Sequence, residues 1–102
     1  MEIMLLIGAR PYRLDEEEAR WLDDLIRVTC VDHAGRSHDA DAVACLGLAD
    51  VLREDLESGR HPEPIYLGRS HAVGLTEHVL TRAAAVEHDL DGFYEGLIRF
   101  RG

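Results

Sequence analysis

The sequence predicts an α+β domain in which a small two- or three-stranded sheet packs with about four helices. Three observations carry this. The opening MEIMLLIG holds a short continuous apolar run, Ile3 to Ile7, ended by Gly8 and Pro11. A second short run, Ile65 to Leu67, follows the stiff turn HPEP, whose prolines disfavour helix in the residue before them. Between and after these runs, apolar residues recur at helical spacing.

The run Ile3 to Ile7 reads as a buried strand, because its length and flanking breakers oppose a helix. An extended segment ending in Leu14 then precedes a helix. Asp15 with Glu18 three residues on forms the Asp version of a capping box. The acidic cluster Asp15 to Glu18 thus sits at the positive end of a helix dipole. Ala19, Leu22, Leu25 and Ile26 supply that helix's apolar stripe, with Trp21 beside it.

The stretch DADAVACLGLADVLREDLESG predicts the longest helix. Asp39 is its N-cap, and Ala42, Cys45, Leu46, Ala49, Leu52 and Leu56 form its stripe. Val43, Leu48 and Val51 widen that stripe, so much of the helix should be buried. Gly59 reads as the C-cap, with Arg60 at the negative dipole end. After the strand Ile65 to Leu67, one helix is expected from about Arg69 to His88, with Ala72, Leu75, Val79, Ala83 and Val86 facing in. The tail DLDGFYEGLIRF predicts a final short helix, weakened by Gly92 and Gly96; a strand over Leu97 to Phe100 is the alternative.

The chain repeats itself. At an offset of 53, Leu14 falls on Leu67, Ala19 on Ala72, Leu22 on Leu75 and Ile26 on Val79. In both copies an apolar strand end hands over to a helix whose small Ala allows close approach. This pattern raises an internal strand-helix duplication with pseudo-twofold symmetry. Two copies are too few for a solenoid.

At 102 residues and 46% hydrophobic composition, the chain is expected to be a single domain, 1–102, able to bury a core without disulfides or structural metal. Twenty acidic against eleven basic residues, all of these Arg, give a net charge of -9. Such a surface repels phosphate backbones and anionic lipid, so neither nucleic acid nor membrane is expected as a partner. The opening run is too short for a span and lacks the basic start of a signal peptide, which points to the cytoplasm. There, Cys30 and Cys45 would be reduced thiols.

Candidate chemistry concentrates in VDHAGRSHDAD, Val31 to Asp41, read as a loop. Its Asp, His and Ser residues are the types of a nucleophilic triad, but loop neighbours seldom converge as a triad must. Cys30, His33 and His38, with Cys45 or Asp39, offer ligands to a metal or small molecule, although the spacing lacks the close pairs of strong zinc motifs. Cys45 also lies on a core stripe, where a thiol behaves as a small hydrophobe. His71 and His78 share one face of the third helix; the repeat places His78 where Leu25 stands, favouring a buried, hydrogen-bonded histidine. No GxGxxG, Walker, HExxH or EF-hand pattern occurs, and no cofactor is indicated.

The aromatic surplus near both ends points elsewhere. Trp21, Phe93, Tyr94, Leu97 and Phe100 form a candidate interface, since aromatic residues are enriched where proteins meet. The leading expectation is therefore a small acidic interaction or regulatory module, a homodimer or the binder of a protein partner, acting without catalysis. The alternative is a small-molecule or metal-binding protein, or an enzyme with a site between subunits, using the 30–41 loop. A third reading is an acidic antagonist of a basic partner.

Overall fold

The computed structural model describes residues 2–37, 39–59 and 63–102, and for 32–37 the backbone alone. Strand β1, Glu2–Ile7, turns at Gly8 into β2, Arg10–Asp15. Gly8 takes a φ of 60°, the left-handed region that glycine enters most readily. The two strands pair antiparallel, Ile3 opposite Leu14 and Leu5 opposite Tyr12. The third strand, β3, Ile65–Leu67, pairs parallel to β1 on its other side, giving the order β2-β1-β3. Because side chains alternate across a strand, Ile3, Leu5, Ile7, Leu14 and Leu67 share one face and are buried.

The helices cover that face. Helix α1, Glu16–Ser37, starts at the expected capping box: the Glu18 amide donates to Asp15 Oδ1 at 2.7 Å, and the Asp15 amide donates to Glu18 Oε1 at 3.0 Å. It runs through residues read as a loop from Val31, so at 22 residues it, and not the next helix, is the longest. Helix α2, Ala40–Ser58, is capped by Asp39 and closed by Gly59 in the left-handed region, as its sequence predicts. Val43 and Val51, expected to widen the buried stripe, instead face outward. Arg60 lies outside the described residues.

The third helical stretch departs most from expectation. Helix α3, Arg69–Gly74, passes into a π-helical turn, Leu75–Val79, and the chain then extends at Leu80. Thr76 Oγ1 donates back to the Ala72 carbonyl at 2.8 Å, and the Leu80 amide closes a bond five residues back to Leu75. Backbone bonding of this kind bends helices. Thr81 then caps a separate helix α4, Arg82–Glu87. The break resets the helical phase: Ala85 and Leu90 are buried, whereas Ala83 and Val86, expected inside, are exposed.

After α4, Asp89 adopts a φ of 56°, and the paired bonds Leu90 to Ala85 and Asp89 to Val86 make a Schellman turn into α5, Asp91–Arg101. The strand alternative for Leu97 to Phe100 is excluded by this helix. Among the described residues no helix is long and apolar enough to cross a membrane.

Candidate functional site

Of the 30–41 segment, the side chains of Cys30, Val31, Asp39, Ala40 and Asp41 are described. Cys30 is wholly buried against Cys45, and burial pushes both thiols above their ordinary range. Thiols so placed stay protonated and are poor nucleophiles. Asp39 accepts from the amides of Asp41 and Ala42 at 2.9 and 3.3 Å, contacts that hold its carboxyl below the usual range. Its second oxygen lies 2.8 Å from His78 Nε2. His78 is thus a hydrogen-bonded, partly buried histidine tying α2 to the π-helical turn. The side chain of His33 and the whole of His38 lie outside the described residues. Among the described residues, no three His, Cys, Asp or Glu side chains form a metal-binding group.

His71 also has a structural task. Its Nδ1 accepts the Gly68 amide at 3.0 Å at the start of α3, and burial lowers its pKa. Both expected imidazoles are thereby engaged in holding helix ends.

The aromatic set divides. Phe93 and Leu97 are only 3% and 0% exposed and belong to the core beneath β2, Phe93 lying edge-on to Tyr12 at 5.5 Å. They offer no surface to a partner, because the inward face of α5 is spent on α3, α4 and the sheet. Trp21 stacks on His88 at 3.8 Å and Tyr94 is partly buried, while Phe100 stays exposed near the β1–β2 turn.

A larger open surface was not anticipated. Register places Glu2, Met4, Leu6, Pro11, Arg13, Asp15 and Tyr66 on the sheet face opposite the helices. Met4 and Leu6 are half-buried by their neighbours, and Tyr66 is 74% exposed. Glu2 and Asp15 oppose one another across the strands, and Arg13 reaches Glu2 at 3.5 Å. The signal was present in the unbroken apolar run, but such a run does not say which of its faces the chain itself covers.

The described residues thus define a two-layer α+β domain with helices on one sheet face and an apolar strip on the other. Compared with known families, curated proteins and solved structures, the chain matches none.

Proposed function

We propose that the chain is a small acidic interaction module that forms a homodimer by stacking two open sheet faces, and that it acts by association without catalysis. The observation that carries this reading is the mismatch between β1 and its cover. Residues Ile3 to Ile7 are apolar on both faces, the pattern of a strand enclosed between two layers. The helices form one layer. Met4, Leu6 and Tyr66 on the other face meet no such layer among the described residues.

A second copy supplies that layer at ordinary sheet-packing distance, about 10 Å. Growth along the sheet edges is disfavoured. The β2 edge carries Pro11 with Arg10, Arg13 and Asp15, and β3 has only three residues behind Pro64. The face also suits itself in charge, since a twofold can set Arg13 of one copy against the Glu2 and Asp15 pair of the other. The two strand-helix units fit descent from one ancestral unit, as β2 and β3 flank β1 in opposite directions and the matched Leu, Ala and β-branched pairs are buried, with the matched Tyr12 and Ile65 partly so. Two free thiols in contact inside the core suit a reducing compartment, and we assign the chain to the cytoplasm.

Sedimentation equilibrium tests the reading. Two chains of charge -9 repel, so the dimer should tighten as salt is added, opposite to binding of a basic partner. Tyr66→Glu and Leu6→Glu should each give monomers of unchanged helix content. A wild-type chain that stays monomeric at all concentrations, or a dimer indifferent to both substitutions, refutes it.

A further inference from the structure

Between the β1–β2 turn and α5 lies a cleft of about 320 Å³, lined by Ile7, Arg10, Tyr12, Gly96, Arg99 and Phe100. We propose that it binds a small aromatic carboxylate. Its cations are free on a surface rich in acid. Arg13, Arg20, Arg27, Arg53, Arg82 and Arg101 are all ion-paired. Arg10 and Arg99, both in this lining, hold no carboxylate among the described residues, a condition shared by Arg69 outside the cleft.

The rest of the lining is fixed in place. A Cβ at position 96 would stand 2.1 Å from the Tyr12 hydroxyl, so glycine alone lets that phenol lie against the α5 backbone. The edge-on contact with Phe93, one turn earlier on α5, sets the Tyr12 ring as well. The hydroxyl makes no hydrogen bond among the described residues, which leaves a third donor in the same lining. Ile7 and the 40% exposed Phe100 ring supply apolar walls.

Two planar guanidinium forks and a phenol suit a planar oxyanion, and the walls suit a flat apolar body. The volume is at the lower end of the range for small-molecule sites. A monoanion is favoured over a phosphate dianion because a protein of charge -9 repels the second charge as well. The cleft lies on the helix-covered side of the sheet, so it stays open whether or not the opposite face is stacked.

Amide chemical shifts of the full chain, titrated with benzoate, benzamide and phenyl phosphate, test this. Benzoate should move Arg10, Tyr12, Gly96 and Arg99 saturably, with a Kd below about 1 mM, and benzamide should not. Arg10→Gln and Arg99→Gln, which remove exposed side chains without partners, should each weaken benzoate about tenfold, the loss of one charge-assisted pair. No saturable shift up to about 10 mM benzoate overturns the proposal. So does equal binding of benzamide, wild-type affinity in both variants, or binding of phenyl phosphate without benzoate.

Discussion

Two glycines on α2 and α3 sit in opposite surroundings. At Gly74 an added Cβ would lie 2.5 Å from Cys45 Sγ and 2.6 Å from the Asp41 carbonyl, where α3 crosses α2. Gly74→Ala should lower stability by about 1–3 kcal/mol despite the better helix propensity of alanine, because backbone must shift. At Gly47 nothing stands within 4 Å, and Gly47→Ala should raise stability by about 0.5–1 kcal/mol. Urea midpoints at constant m-value read both changes. Cys30 and Cys45, fully buried with raised pKa values, should resist a thiol reagent in the native chain and react together once it unfolds. Fast labelling of either in the native chain would contradict their placement.

His71 links a residue to pH. Its folded pKa is lowered by burial, and its Nδ1 must stay unprotonated to accept the Gly68 amide. The unfolded chain therefore takes up a proton first as pH falls below about 6.5, the ordinary histidine value. The stabilisation is complete above that pH and is lost as pH falls towards the folded value. Urea midpoints from neutral to mildly acidic pH should fall more steeply for the wild type than for His71→Gln. Equal slopes would remove His71 from the account.

At the scale of elements, α1 and α2 form a hairpin clamped by one buried carboxylate. Asp23 accepts from Arg27 at 2.8 Å and from Arg53 at 3.1 Å, and Arg27 continues to Asp50. Removing the buried partner of such a network leaves two guanidinium groups short of their acceptor. Asp23→Ala should cost about 2–3 kcal/mol, measured by chemical denaturation. The caps of these elements were legible because each is a local chemical rule: Asp15 with Glu18, Asp39, Gly59. The break at Leu80 was hidden because the apolar spacing runs on past it, and the cause lies in the Thr76 bond to Ala72 and in Thr81 as a cap. The loop read at Val31 failed for a related reason, since its Gly, Ser and Asp residues are turn formers that α1 nevertheless carries in its last turns.

At the scale of the molecule, the fold class was readable, while the surfaces were only half so. Phe93 and Leu97 looked like spare apolar residues because a sequence does not show that α5 packs against α3 and α4 as well as the sheet. Met4, Leu6 and Tyr66 passed unnoticed because β1 looked simply buried, although its run of apolar residues asks for two covers and the helices provide one. The central claim is that a second copy is the other cover. Isotope-filtered NOE spectra of a mixed labelled and unlabelled sample test it most directly. Intermolecular contacts should join the methyl groups of Met4 and Leu6 in one copy to the Tyr66 ring of another. Spectra with intramolecular contacts alone, or intermolecular contacts confined to the exposed Val28 and Val31 of α1 and Val43 and Val51 of α2, would contradict it.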